Sequence, residues 1–437
     1  RPIETILSGP AASLVGARYL TGLDRAVVSD IGGTTSDVAV LEGGLPRLAE
    51  EGAIVGGHRT MVEAVALRTF GLGGDSEVHI DDRGLTPSIT LGPRRILPLS
   101  LIAHHHPEVI ISTLEKQLKA QRPGRHDARF AVATGLAPPA AQGLRTQDQA
   151  LLQRLGSGPV SLDALLQSAS EKVLMDGLVA RGLVHLCGIT PSDALHVLRQ
   201  QGQWNAEAAR MGFELCARRK DGAGRAIAAS AAELAEAVVA RLTRQSAEAV
   251  LATCLAEDGG EPIDPSTSPA VDRALRRTPG IVRMSIALDR PLVGLGASAA
   301  LYYPAVARML GAESVVPADA DVANAIGAVV GEVRAVVSVV VSISGEGGFV
   351  ISGAGENRLA SEEAEAMKQA RQRARAAALA RAAAAGADDA VVTLKEHLDQ
   401  PDVDGSPRLL EARIVATAVG RPRVAARDMG AVSPSAH

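Results

Sequence analysis

Aromatic side chains make up only 2% of the 437 residues. Platforms for stacking bases or sugars are therefore few, and Ala, Val, Leu and Gly must build the core. Cysteine is scarce as well. Cys187, Cys216 and Cys254 stand far apart without C-x-x-C spacing, which argues against a disulfide framework or a zinc knuckle and reads as buried thiols in a reducing cytosol. No apolar run reaches the roughly 18 residues that a membrane-spanning helix needs. No long run of one charge sign breaks the balance of 45 basic and 49 acidic side chains, formally −4, so neither nucleic acid nor an anionic membrane is the expected partner. The first residues, Arg1-Pro2-Ile3-Glu4-Thr5, lack both Met and the basic-plus-apolar pattern of a secretory signal; we expect a piece of a longer, non-secreted protein.

What is present is a chain 46% hydrophobic and long enough for two or three domains. Its first hundred residues alternate strand and turn signals. A helical pattern from Ala11 to Leu20 precedes Ala26-Val27-Val28, a glycine loop and Val38-Ala39-Val40-Leu41. Val78-His79-Ile80 and Ile89-Thr90-Leu91 flank the turn Asp81-Asp82-Arg83-Gly84, as in a hairpin. From about Pro107 to Leu255 the texture is helical, with long patterns over Ser161 to Arg181 and Ala226 to Ala252. Within it, Leu151 to Leu186 has the helix, turn, helix and extended-segment rhythm of a small winged-helix unit, without a basic recognition helix. Ile281 to Ile286 reads as a strand leading to Gly294-Leu295-Gly296-Ala297-Ser298 and a helix, and residues 336 to 352 read as a hairpin through Gly345-Glu346-Gly347-Gly348. An Ala-rich helix from Glu362 to Ala385 and strands Ala390 to Leu394 and Leu409 to Val419 complete the expectation. We divide the chain into residues 1–103, a mainly helical insertion at 104–278, and residues 279–437.

The segment Ser29-Asp30-Ile31-Gly32-Gly33-Thr34-Thr35-Ser36-Asp37 carries the clearest chemistry. Gly32 and Gly33 let backbone amides approach an anion without Cβ interference, Thr34 and Thr35 add hydroxyl donors, and Asp30 at a strand end is placed to hold magnesium. The plain alternative is a β-turn with a capping Asp.

With four other segments this loop resembles the ATP-dependent hydantoinase A and 5-oxoprolinase family. Those segments are Ser8-Gly9-Pro10-Ala11-Ala12 with Gly16-Ala17, Gly71-Leu72-Gly73-Gly74-Asp75-Ser76, Gly188-Ile189-Thr190-Pro191-Ser192-Asp193-Ala194-Leu195, and Gly294-Leu295-Gly296-Ala297-Ser298-Ala299. The resemblance implies an α/β fold of the actin and sugar-kinase type, in which two ribonuclease-H-like halves clamp ATP and each gives one phosphate hairpin. It maps the second hairpin onto Asp30 to Thr35 and the adenosine loop onto Gly294, Gly296 and Ala297. It also places the helix through Asn324-Ala325-Ile326-Gly327 beside the nucleotide. The family's first hairpin lies in an N-terminal region absent here, and its Cys-containing segment is replaced by Leu97 to Pro107. The activity implied is ATP-driven opening of a cyclic amide such as a hydantoin or 5-oxoproline, with ATP and Mg2+ as cofactors and a second subunit or the absent region as partner. An ATP-dependent carboxylase subunit and a nucleotide-sensing protein without catalysis are the alternatives, and a sugar kinase fits less well.

Other candidates are weaker. Asp37, His58 and Asp75 are placed to orient substrate or water, against ordinary roles in an exposed loop or an Asx-turn. His104-His105-His106 can present imidazoles to a transition metal, but with no Cys nearby and only Glu108 as a close carboxylate they suit a solvated loop better. Ser192 and Asp193 after Thr190-Pro191 fit helix capping, and Cys187 fits a buried thiol.

Overall fold

The computed structural model describes residues 8–46, 48–49, 54–55, 58–59, 64–135, 143–259, 263–330, 333–345, 347–403, 406–407 and 409–422. It is a mixed α/β protein of two compact units, residues 1–324 and 325–437.

The first unit opens with helix α1 (Ser8–Thr21), which buries Leu14 and Ala17, then β1 (Ala26–Ile31) and β2 (Ser36–Glu42). The two strands pair antiparallel, with Asp30 directly opposite Asp37. Their apolar runs, Ala26 to Val28 and Val38 to Leu41, are buried throughout, so β1 and β2 belong inside a layered structure and not at a surface. β3 (Leu67–Phe70) and the two-residue strand Leu45–Pro46 share the far edge of β2. The expected hairpin forms as β4 (Ser76–Asp81) and β5 (Ser88–Arg95).

Helices α2 (Leu99–His105) and α3 (Pro107–Lys119) follow, then β6 (Phe130–Ala133), α4 (Thr146–Leu155), α5 (Ala169–Ala180) and β7 (Val184–Gly188). The helix, turn, helix and strand order expected for residues 151–186 is present, with a small core of its own around Leu151, Leu162, Met175, Leu178 and Val184. The long helix expected from Ser161 is broken, however. It comprises Leu162–Leu165 and α5, because Ser168 and Glu171 form a capping box that starts α5 afresh. After α6 (Pro191–Val197) and α7 (Ala206–Ala217), the 27-residue α8 (Ala231–Glu257) starts at the Ser230 cap, later than Ala226.

The chain returns to the first sheet as β8 (Leu292–Leu295), α9 (Ala299–Met309) and β9 (Ser314–Val315), and α10 (Ala323–Val330) runs across the boundary between the two units in sequence. Here the structure corrects the sequence reading. Residues 281–286 are irregular, with Ile281 and Val282 fully or largely exposed, and the place beside β1 is filled by Leu292–Leu295, all four buried. The resulting order is β9–β8–β1–β2, with β3 outermost; β9, β8 and β1 run parallel and β2 reverses.

The second unit is an antiparallel sheet with one helix. The expected hairpin is β10 (Val333–Ile343) with β11 (Phe349–Ser352), followed by β12 (Arg358–Ala360), α11 (Glu363–Ala384), β13 (Ala387–Asp399) and β14 (Glu411–Pro422). Its order is β12–β11–β10–β14–β13. Ala366, Ala370, Ala374, Ala378 and Ala382 recur every fourth residue and bury one stripe of α11 against Ala412, Ile414, Ala416 and Ala418, which alternate along β14. Small side chains on the helix let it lie close to the sheet, and the fully buried part of this core holds no aromatic ring, Phe349 packing at its margin.

Candidate functional site

Two glycine turns meet at the adjoining C-terminal ends of the parallel strands β1 and β8, where Ser29 pairs with Gly294 and Asp30 with Leu295. Crevices beyond the carboxyl ends of parallel strands are where α/β sheets place ligands.

The first turn spans Gly32 to Thr35. It is closed by the Gly32 amide, which donates to the Thr35 carbonyl at 2.9 Å. Its own carbonyls are held from behind: Gly74 donates to Gly32 O at 3.0 Å and Asp75 to Gly33 O at 2.8 Å. Among the described residues the amides of Gly33 and Thr34 donate to nothing, and Gly32 and Thr34 are exposed. Gly73 is required by this contact, because a Cβ there would stand 2.5 Å from both Gly32 O and Gly33 O. The second turn depends on Gly296, whose φ of +106° is left-handed backbone and whose Cβ would lie 2.1 Å from Ile31 O. Ala297 beside it is exposed. Gly294 serves packing: it is buried inside β8, and the ring of Tyr303 fills the space its side chain would take.

Asp30 lies between the turns, half-buried. Ser13 on α1 donates to its Oδ2 at 2.6 Å. Burial, together with the negative charge of Asp37, raises its pKa above the ordinary carboxylate value, although the Ser13 bond opposes this. Asp37 accepts a 2.6 Å bond from Thr69. Neither carboxylate has an ion-pair partner among the described residues, so the pair is an uncompensated negative site. Beneath it, Ser29 Oγ and Tyr303 OH lie 2.6 Å apart in a buried bond.

Asp75 is tied down. Its carboxylate sits under Gly33, where a Cβ would meet Oδ2 at 2.6 Å, and it receives Arg95 Nε at 3.2 Å and NH2 at 3.1 Å. Ser192 Oγ reaches it at 3.5 Å. Ser76 Oγ accepts from the Gly73 amide at 2.9 Å. The Gly71–Ser76 segment thus buttresses the first turn from behind. His58 pairs with Val55 in a two-residue hairpin, and its side chain lies outside the described residues.

The Thr190-Pro191-Ser192-Asp193 segment caps α6, as expected, and does more. Fully buried Asp193 accepts from Thr190 N at 2.9 Å and Thr190 Oγ1 at 2.8 Å, and also from Leu99 N at 3.0 Å and Ser100 N at 2.7 Å, the first two amides of α2. Burial pushes its carboxyl upward while these donors pull it down. His104 and His105 are exposed at the end of α2, with His106 at its C-cap, so the triplet is a helix end and not a loop. No group of three or more side chains suited to a metal occurs among the described residues. Cys187 and Cys216 are buried, their thiols pushed up to about 12 and about 11, whereas Cys254 is only partly buried.

Sequence reasoning missed Ser13, Thr69, Arg95 and Tyr303. Only Ser13 left a signal, as a hydroxyl beside the buried Leu14 of an otherwise small and apolar helix.

The geometry places two glycine turns and two carboxylates together at the end of a mixed sheet. Residues 1–96 match the hydantoinase/oxoprolinase family, a stretch that holds the first three of the five motifs. The caprolactamase subunit alpha of Pseudomonas jessenii is 30% identical over 97 residues, which are 22% of this chain and 13% of that protein. Among solved structures, a nucleotide-free acetone carboxylase matches at 14% identity with a TM-score of 0.44, over 96% of this chain and 50% of that one. The ATP-dependent caprolactamase from Pseudomonas jessenii matches at 13% identity with a TM-score of 0.45, over 95% of this chain and 50% of that one. The chain therefore spans about half the length of these solved chains. No helix among the described residues is long and apolar enough to cross a membrane.

Proposed function

We propose that the turns at 32–35 and 294–297 form one side of an ATP site and that the protein uses ATP to open a cyclic amide of the hydantoin or 5-oxoproline class. The observation that carries this reading is the convergence of both turns on Asp30 at the ends of parallel β1 and β8. The strand order β9–β8–β1–β2–β3, with β9, β8 and β1 parallel and β2 antiparallel to both of its neighbours, supports a ribonuclease-H-like half of an actin-type ATPase. In this reading residues 1–103 and the chain from 279 carry the nucleotide-binding part, and 104–278 the helical insertion.

The residues present fit magnesium. Asp30 and Asp37 face each other across the β1–β2 pair with no basic side chain paired to them among the described residues, and a hard divalent ion suits an oxygen donor set of this kind. Asp30 would hold it, with Asp37 beside it, and the ion would supply positive charge to phosphate oxygens. The free amides of Gly33 and Thr34 and the hydroxyls of Thr34 and Thr35 bind those oxygens. Ser13 fixes the rotamer of Asp30, Asp75 props the turn, and Gly296 and Ala297 give adenosine a flat approach. Asp37 and His58 are the candidates for orienting substrate or water. An unactivated lactam resists water because its amide is resonance-stabilised. Transfer of the γ-phosphoryl group to the amide oxygen, with ADP leaving, removes that resonance, so that water adds at the carbon and the C–N bond breaks with the nitrogen taking a proton. The acyl phosphate left behind is hydrolysed to carboxylate and phosphate, and the whole is a task of positioning and electrostatics. A second subunit, as the name of the caprolactamase relative suggests, would supply the other side of the cleft, and the site of action would be the cytosol.

Calorimetry of magnesium-ATP binding to this chain and to Asp30→Ala, with and without a separately expressed partner half, tests the reading, followed by lactam-dependent phosphate release. Binding that requires Asp30, with lactam-dependent turnover, supports it. Binding without lactam turnover points to carboxylation or nucleotide sensing, and absence of binding in every combination refutes the phosphate turn.

A further inference from the structure

We infer that a cavity sharing no residue with the Gly32–Thr35 turn is a binding site for a small monocarboxylate. It measures about 70 Å³ and lies between Glu77, Val78 and Ile80 of β4, the loop Gly124 to Arg129, Gly188-Ile189, and Cys216 and Arg219 at the end of α7. A space of this size exceeds the roughly 10–15 Å³ that one water needs and suits a group of a few heavy atoms.

Its charges are arranged with an excess of donors. Three arginines, Arg125, Arg129 and Arg219, line it against two carboxylates, Glu77 and Asp127. The carboxylates are already served. The Glu77 side chain, only 4% exposed, pairs with Arg129 and lies 3.8 Å from Arg94 and 3.6 Å from His79. Asp127 accepts from Arg218 at 3.2 Å and from the Gly124 amide at 2.9 Å. Arg219 pairs with Asp82 at 2.5 Å. What remains is Arg125, which has no ion-pair partner among the described residues, and the Nε of Arg129, which is buried without a hydrogen-bond acceptor. A buried donor left unmade destabilises the fold, so a site that keeps one beside a cavity is built for an acceptor that arrives from outside.

The acceptor's class follows from the walls. Val78, Ile80, Ile96, Ala128 and Ile189 give apolar surface for a short hydrocarbon body. Guanidinium groups match a carboxylate's two oxygens in plane, and Glu77 and Asp127 would repel a dianion such as phosphate. The thiol of Cys216, pushed up to about 11, stays neutral and adds no competing charge.

The test is propionate binding to the whole chain by calorimetry without nucleotide, so that it is independent of the ATP reading. Propionamide and inorganic phosphate serve as comparators. Arg125→Gln alters an exposed, unpaired side chain and should leave folding intact while weakening propionate about tenfold, the value of one charge-assisted bond; Arg83→Gln, on the β4–β5 turn, should leave binding unchanged. Propionate binding that falls tenfold in Arg125→Gln and is absent for propionamide supports the site. No propionate binding, equal binding in Arg125→Gln, or a preference for propionamide or phosphate overturns it.

Discussion

Replacing Asp193 by alanine removes the acceptor shared by two helix starts. Four donors lose their partner at once: Leu99 N, Ser100 N, Thr190 N and Thr190 Oγ1, at 2.7 to 3.0 Å from a side chain with no exposed surface. Water has little access, so the loss resembles that of a buried, charge-assisted network more than that of a surface cap. One cap is worth about 1 kcal/mol and each orphaned buried donor about 1–3, which sets the expected destabilisation at about 4 kcal/mol. The measurement is urea unfolding followed by far-ultraviolet circular dichroism, with a thermal midpoint expected to fall by about 10 °C. Asp193→Asn separates charge from shape. It can keep the three donors on Oδ2 while turning an NH2 toward the Ser100 amide, so it should cost about 2 kcal/mol, roughly half as much. A loss below about 1 kcal/mol in the alanine variant would refute the argument that this carboxylate joins α2 to α6.

The remaining predictions concern the site itself. Asp30→Asn should abolish magnesium-dependent nucleotide binding, measured by calorimetry, yet raise the thermal midpoint of the metal-free protein at neutral pH. The raised pKa of Asp30 means that the folded state favours its protonated form: stability from this group is full below the unfolded value of 3.8 and lost as pH rises through the folded value. Over that same window magnesium affinity should increase with pH in the wild type. Gly296→Ala places a methyl carbon 2.1 Å from Ile31 O at a φ of +106° and should cost more than about 2 kcal/mol, with nucleotide binding lost in any fraction that folds. Tyr303→Phe leaves Ser29 Oγ buried without its partner; a cost of about 1–2 kcal/mol in urea unfolding is expected, and no change would show that the hydroxyl pair contributes nothing.

The features legible in the sequence were those written locally. The β1–turn–β2 unit follows from two apolar runs separated by glycines, the β4–β5 hairpin from its Asp-Arg-Gly turn, and α11 from alanines at helical spacing. The errors arose where distant segments compete. Ile281 to Ile286 has good strand composition, but β1 has one free edge, and Leu292–Leu295 takes it because Gly294 there admits the ring of Tyr303. The break before α5 was visible in principle as the capping box Ser168 to Glu171, and the apolar spacing around it masked the signal. Ser13, Arg95 and Tyr303 act on residues 17, 20 and 274 positions away, and no local pattern encodes such contacts. The glycine motifs located the site, but their division of labour came only from three dimensions: Gly73 and Gly296 permit backbone contact, and Gly294 makes room for a side chain.

Rigidity of the Gly32–Thr35 turn has a traceable origin. The turn's outward amides are free because its carbonyls are engaged on the other side by Gly74 and Asp75, and Gly74 O in turn accepts from Ser192 N at 2.8 Å. Ser192 is the second residue of α6, whose start Asp193 ties to α2. A short chain of hydrogen bonds therefore runs from the clamp of two helix starts, through Gly71–Ser76, to the back of Gly32-Gly33. Preorganised amides stabilise charge without paying reorganisation at the moment of reaction, and a turn held only by its own 2.9 Å bond would lack that property. The helical residues far from the turn are then part of its support, and weakening Asp193 should loosen nucleotide affinity even under conditions where the chain stays folded.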